Sequence, residues 1–542
     1  MRLSLSGLDW VVCLGALAGS ILIGLWLSVR AKSSKSSDGF FLAGRSLTWP
    51  IVGASLFATN IGAEHLVGLT GDCYRYGLCA GTVELTTAMC LGFAAAVLLP
   101  CYMKNRIFTV PEYLEMRFGQ SARSAFSALM LVICIMTKTA FTLYAGAMVL
   151  HLLTGWDLMT TVVILGAVTA AVTMIGGFTT VAYTDTIQTA IMLVGSGTML
   201  VIGLVEVGGW SGLCARLTEM KIPEAISMAK PLTDRNYPFW GIIAGAIYGG
   251  IFYWGMDQVN VQRMLGARNL DQARWGAMFA TLLKLTPVFI FALPGVIALA
   301  LSHGSLKGED TKQAFVWLLN NLLPSGLRGL LLASLLAAMI SSLLAIMNSI
   351  STLAVRDFVL RFRPATDERT QVWVGRIAIL AGATLGILAA YMVYKTPDGL
   401  YKYLQTISIY LVMPITPAIA FGIMSKRVTL KGAAASVLVG IVLAALFVTD
   451  QLMGAAWGRQ NLPFLHEKYM LNYTYRGLWG TLIITGVLFA VSAFTTKTDP
   501  ERLERTTVDW QAKREAFRGI ADWRLQWCGL SIVTLLAYWL VR

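Results

Sequence analysis

The stretch SLFATNIGAEHLVGLTG, Ser55 to Gly71, decides how this chain is read. It lies inside a long apolar run, yet it holds Asn60, Glu64, His65 and three glycines. Glycine weakens a helix interior by about 1 kcal/mol relative to alanine. A charged side chain at mid-bilayer costs about 2.5–3.5 kcal/mol on insertion scales. A segment built poorly as a helix and loaded with polar groups is a candidate recognition element rather than a packing element.

The surrounding chain says what kind of protein carries it. Of 542 residues, 56% are hydrophobic and 13% charged, against about 25% charged in soluble domains. Crossing the hydrocarbon core takes about 20 apolar residues, and about 14 such segments are present. Their centres fall near residues 18, 60, 90, 137, 167, 196, 247, 289, 338, 384, 411, 441, 485 and 533. The expectation is an all-α polytopic membrane protein in the cell membrane, surrounded by the lipid bilayer. Its first run, 8–29, is too long for a signal-peptide core and lacks a small-residue cleavage site, so it reads as a retained helix.

The net charge of +14 raises the question of nucleic acid. Its distribution answers with topology instead. Roughly 25 Lys and Arg fall in one set of alternate loops and roughly 13 in the other, and the richer set belongs in the cytoplasm. Both termini then face outward, and no nucleic-acid partner is expected. The eight cysteines include no CxxC pair. Most sit in apolar segments as packing residues, while a disulfide among Cys73, Cys79 and Cys214 stays open. Four histidines without ligand spacing argue against a transition-metal site. The charged stretch RLERTTVDWQAKREAF reads as an amphipathic interfacial helix.

Transporters are often built from inverted repeats whose broken helices line a midplane site. The second apolar segment is interrupted at Asn60–Gly62, and the seventh at AIYGGIFYWG, with Gly245, Gly249, Gly250 and Gly255. Two interruptions five segments apart are what such a repeat predicts. Expected bounds are about 48–237 for the first repeat, 238–425 for the second and 430–542 for the C-terminal helices.

Buried ionisable residues need a reason. Glu64, Glu84, Asp185 and Lys284 lie centrally; Lys138, Glu206, Asp257 and Arg376 lie nearer segment ends. Mutual pairing that holds helices together is the simplest explanation, and it is preferred for Lys138, Glu206 and Arg376. Glu64, Glu84 and Lys284 instead join Asn60, His65, Thr87 and Gln405 in a set that mixes donors and acceptors. A neutral polyhydroxyl ligand wants that mixture, because each hydroxyl does both. Tyr253 and Trp254 supply flat apolar surface, for a ring face or simply for the core. In LLASLLAAMISSLLAIMNS, Leu331–Ser349, Ser341 and Ser342 are adjacent hydroxyls in an apolar helix. They either bond back to their own helix or, with carbonyls freed near Ala58 and Ile61, offer a hard cation about five neutral oxygens.

These residues match a family pattern. The chain resembles the sodium/solute symporters, and within them the sodium–glucose cotransporters. The similarity rests on GFFLAGRSL (39–47), ASLFATNIGAEHLVG (54–68), YTDTIQTAIMLVGS (183–196), YWGMDQVNVQR (253–263), LKLTPVFIFALPG (283–295) and AAMISSLLAIMNSIST (337–352). The resemblance implies a LeuT-type fold, two inverted five-helix repeats plus flanking helices. It implies Na+ at the carbonyls of Ala58, Ile61 and Ala338 and the hydroxyls of Ser341 and Ser342. It places a monosaccharide among Asn60, Glu64, His65, Glu84, Thr87, Lys284 and Gln405. Tyr253, followed by Trp254, would close the inner side of that pocket, and Val83 and Tyr401 take outer-gate positions.

The sequence also departs from the family pattern. Gly250 stands where sugar carriers often have a side chain that bonds the solute, and Val83 replaces an aromatic. Some members of the family bind a second sodium at the aspartate equivalent to Asp185, helped by hydroxyls at positions that here are Leu344 and Ala345. The expectation is therefore one sodium per sugar, imported by alternating access, with Asp185 holding Tyr183 or a nearby basic residue. Myo-inositol, another polyol or a small organic acid is the alternative solute. A sodium-dependent sensor remains a rival; a membrane enzyme does not fit, since nothing supplies a water-activating group.

Overall fold

The computed structural model describes residues 5–30, 36–62, 64–231, 234, 236–394, 410–466, 473–510 and 516–540. Helices account for the architecture, and no strand occurs among the described residues; one isolated bridge joins Leu47 to Ala267. The main elements are α1 (Gly7–Arg30), α2 (Trp49–Asn60), α3 (Thr70–Tyr76), α4 (Leu78–Lys104), α5 (Gln120–His151), α6 (Leu158–Val207), α7 (Phe239–Gly255), α8 (Gln258–Leu265), α9 (Leu270–Leu301) and α10 (Leu327–Phe362). They are followed by α11 (Glu368–Tyr394), α12 (Thr416–Met424), α13 (Leu430–Asn461), α14 (Tyr473–Ala493) and α15 (Trp523–Leu540).

Among the described residues nine helices are long and apolar enough to cross a membrane, ten if the bent α7–α8 pair is one span. The expected count of about 14 is not reproduced as such. It split the 50-residue α6 in two and counted the interrupted α2–α3 and the region ending in α12. It also counted the 18-residue α15. Splitting α6 has a structural basis: Gly177 has φ 58° and ψ −156°, and a Cβ there would sit 2.7 Å from the Phe40 ring. Only glycine takes that backbone at that contact.

The almost wholly buried α10 forms the centre. It packs against α6, α1 and α11, while α2 lies between α6 and α9. Close approach rests on missing side chains: at Gly195 a Cβ would come within 2.3 Å of the Ser334 hydroxyl, and at Gly329 within 2.2 Å of the Asp9 carbonyl. Asp9 of α1 in turn accepts from the backbone N–H groups of Gly326 and Gly329 at 2.7 and 3.1 Å, capping α10 from outside its own helix. At Gly295, on α9, a Cβ would stand 2.2 Å from the Thr70 carbonyl oxygen of α3. Backbone cannot yield there, so Gly295→Ala is expected to cost about 1–3 kcal/mol through overpacking. A fall in the unfolding midpoint of the purified protein checks it.

Two sequence expectations are corrected. The seventh span is interrupted as expected, but only at the last of its four glycines: α7 is continuous through Gly245, Gly249 and Gly250, and the 51° bend falls after Gly255, where Asp257 caps α8 through the Val259 N–H at 3.0 Å. Gly245 and Gly250 serve packing, since Cβ atoms there would meet Thr474 at 2.7 Å and Cys90 Sγ at 2.5 Å. Among the described residues the expected amphipathic helix is short: Pro500–Thr506 is helical, and Thr507 turns extended as the β-branched Thr506–Val508 run begins. Cys73, Cys79 and Cys214 are free thiols.

Candidate functional site

The ladder of α2 ends at Asn60. Ile61 is extended (φ −82°, ψ 122°), and the chain resumes as a wide turn over Glu64–Leu69 before α3. The local sequence stabilises the break. His65 Nδ1 accepts from the Gly62 N–H at 3.3 Å, and the His65 N–H returns to the Gly62 carbonyl at 3.0 Å. An accepting Nδ1 places the imidazole proton on Nε2. Nε2 faces Glu84 Oε1 on α4 at 3.3 Å. The break thus fixes the histidine tautomer, and the histidine reaches the neighbouring span.

Glu84 is held from a third element. Lys284 of α9 donates through Nζ both to Glu84 Oε2 and to Asn60 Oδ1. The Lys284 side chain is 3% exposed and that of Glu84 13%. Asn60, His65, Glu84 and Lys284 are therefore one hydrogen-bonded unit joining three spans. Thr87, buried, follows Glu84 by one turn. Tyr253 interacts with the Asn60 side chain and meets Trp254 edge to face at 5.0 Å. Charge within the unit cancels, because one ammonium faces one carboxylate. What remains unspent is a mixture of amide, hydroxyl and carboxylate valences. Such a surface suits a neutral solute with many hydroxyls, whereas an anionic solute would compete with Glu84 for Lys284.

The second site lies where α10 crosses the same break. Ser342 Oγ donates to the Thr59 and Ile61 carbonyls at 3.1 and 3.3 Å. Those are the oxygens an interrupted ladder leaves available. Ser341 Oγ points the other way, to Asp185 Oδ1 of α6 at 2.6 Å. Asp185 Oδ2 accepts from Ser55 Oγ at 2.5 Å and faces Arg263 Nη2 at 3.5 Å. Asp185, Arg263 and Ser341 are fully buried, and so are Ala58 and Ala338. Hydroxyl and carbonyl oxygens on two facing elements fit a sodium ion as cargo. Leu344 and Ala345 are buried and apolar, with no oxygen to add.

Of the sequence-derived set, the structure brings together Asn60, His65, Glu84 and Lys284; Ser342 meets the Ile61 carbonyl, and with it that of Thr59, while Ser341 turns away to Asp185. Val83, the chain neighbour of Glu84 on α4, is 40% exposed. The Glu64 side chain, Tyr401 and Gln405 lie outside the described residues. Asp185 pairs with a basic residue, as one of the two expectations had it, and that residue is Arg263. Ser55 and Arg263 had gone unremarked, although both stand inside motifs already singled out. Lys138 pairs with Asp257 at the α7–α8 bend and lies 5.6 Å from the Tyr253 ring, consistent with a helix-holding role.

Residues 40–440 match the sodium:solute symporter family. The chain is 32% identical to the human sodium/myo-inositol cotransporter, over 93% of this chain and 74% of that protein. It is 33% identical to sodium/glucose cotransporter 4 of Danio rerio, over 90% and 78%, and 35% identical to mouse sodium/myo-inositol cotransporter 2, over 91% and 78%. Among solved structures it is similar to a Na+-coupled sialic acid symporter in a substrate-bound outward-open state, with a TM-score of 0.75 at 21% identity over 91% of this chain and 99% of that one. A nucleobase-cation-symport-1 family transporter in a closed conformation gives a TM-score of 0.56 at 16% identity, over 87% and 98%. At these identities the structural likenesses bear on the fold, which is of the LeuT type.

Proposed function

This chain belongs to the sodium:solute symporter family, a multi-pass membrane protein that couples a solute to sodium, and from that premise we propose that it imports a monosaccharide of the glucose or galactose kind, one sodium per sugar, by alternating access across the cell membrane. The carrying observation is the neutral Asn60–His65–Glu84–Lys284 unit at the helix break. Sodium enters first, at Ile61, Ser341 and Ser342 with the Ala58 and Ala338 carbonyls, and fixes α2 against α10. Asn60 adjoins Ile61 on the same broken turn, so ion and sugar share one element. Sodium then raises sugar affinity, and sugar raises sodium affinity by the same factor. Glu64, Thr87 and Gln405 complete the pocket. Tyr253 and Trp254 close it inward, Val83 and Tyr401 outward. Both termini face outward, and the repeats span about 48–237 and 238–425.

Myo-inositol is the second reading. It offers the same hydroxyl pattern on a ring, and two of the relatives above carry it in their names. Proteoliposomes separate the two. Radiolabelled D-glucose, D-galactose and myo-inositol are offered with and without an imposed sodium gradient. At least one is expected to accumulate above the outside concentration only with the gradient. Sodium-dependent binding without accumulation would make the protein a sensor. Indifference to sodium in both binding and uptake would overturn the proposal.

A further inference from the structure

The span that carries Glu84 is irregular on both sides of it. The Thr86 N–H bonds the Val83 carbonyl, three residues back, at 3.1 Å. Thr82, four back, thereby loses its usual ladder donor. In hydrocarbon a carbonyl left open is costly and must find a donor elsewhere. It finds one on the last helix of the chain: Tyr538 Oη of α15 donates to the Thr82 carbonyl at 2.7 Å. Beyond Glu84, Trp527 Nε1 of α15 donates to the Ala88 carbonyl at 3.0 Å. That approach depends on Gly92, one turn on, where a Cβ would stand 1.9 Å from Trp527 Nε1.

The same helix is tied to the other half of the ion pair. Arg274, on α9 with Lys284, stacks over the Trp523 ring at 4.6 Å and donates to the Ala95 carbonyl of α4 at 3.2 Å. Trp275 Nε1 donates to the Ala521 carbonyl, just before α15, at 2.7 Å. The C-terminal helix therefore grips α4 and α9, the two spans whose side chains meet as Glu84 and Lys284.

We propose that Trp527 and Tyr538 of the C-terminal helix are positioning residues for solute recognition, setting the register of Glu84 and Thr87 through the Ala88 and Thr82 carbonyls. This rests on the reading of Glu84 as part of the solute site. A helix that merely sealed the bundle would need apolar contact with α4. Two hydrogen bonds to main-chain oxygens bracketing Glu84 do something more specific, because they fix the span along its axis.

The test uses the full-length protein in proteoliposomes at saturating sodium, with D-glucose and myo-inositol as probes. Trp527→Phe and Tyr538→Phe each remove one donor and keep an aromatic ring. Each is expected to raise the solute KM about fivefold, with maximal rate, reconstituted yield and unfolding midpoint near those of the parent. Gly92→Ala displaces the indole without altering it and is expected to give the same rise. A wild-type KM in both phenylalanine variants would overturn the inference, as would a fall in yield and rate at constant KM. Glu84→Gln runs alongside: if it raises KM while the others do not, the inference alone fails. If it leaves KM unchanged, the site reading fails first.

Discussion

Lys284→Ala is expected to abolish sodium-driven uptake and to destabilise the protein, while the double variant Lys284→Met with Glu84→Gln recovers stability without recovering transport. Lys284 serves Asn60 and Glu84 at once from an almost fully enclosed position. Removing it leaves Glu84, among the described residues, with the imidazole of His65 as its side-chain partner and no ammonium to offset its charge. An uncompensated buried charge costs about 3–5 kcal/mol, whereas replacing both members of a buried pair by neutral groups of similar volume is often close to neutral. Unfolding midpoints should therefore drop in the single variant and return in the double one. Transport should not return, because neither the thioether that replaces the lysine nor the amide that replaces the carboxylate restores the ammonium that organises Asn60 at the break. Parent-like KM and rate in the double variant would show that the unit only holds helices together, and the solute site would have to be sought elsewhere.

That experiment targets a contact the sequence could not display. The helical membrane class, the break at Asn60–Gly62 and the paired serines were legible because each is a local departure from an apolar pattern. Partner choice was not. Lys284 and Glu84 are 200 residues apart, and nothing in either neighbourhood says that they meet. Asp185 shows the same limit: its charge was visible, but Arg263, Ser55 and Ser341 reach it from three other elements. That the seventh span breaks only at the last of its four glycines has a different cause. Glycines drew attention to the middle of α7, yet a helix among close neighbours uses glycine for approach. The true signal was Asp257, a side-chain cap directly after an apolar run. The grip of α15 on α4 was hidden because Trp527 and Tyr538 look like ordinary interfacial aromatics.

The ion site makes the other large prediction, and it fixes what the protein can accomplish. In the proposed ion site Ser342 supplies one of about five oxygens to the sodium ion; its hydroxyl donates to the Ile61 carbonyl at 3.3 Å. Interactions with a full charge are worth about 1.5–3 kcal/mol, so Ser342→Ala should raise the half-saturating sodium concentration about 10- to 150-fold. Solute KM measured at saturating sodium should move far less, which separates this variant from those at Glu84 and Lys284. Asp185 bears on how many ions are used. Its two oxygens are already taken by Ser341, Ser55 and Arg263, and Leu344 and Ala345 bring no further ligand. Uptake should then depend on sodium with a Hill coefficient near 1. One charge crossing about 100 mV yields about 2.3 kcal/mol, and a tenfold sodium gradient adds about 1.4 kcal/mol. Together they support roughly 500-fold solute accumulation, whereas two ions would support roughly 10⁵-fold. Static-head accumulation under a clamped potential and a known gradient reads the difference directly. A plateau well above roughly 500-fold would require a second ion, and Asp185 would then have to release Arg263 to bind it.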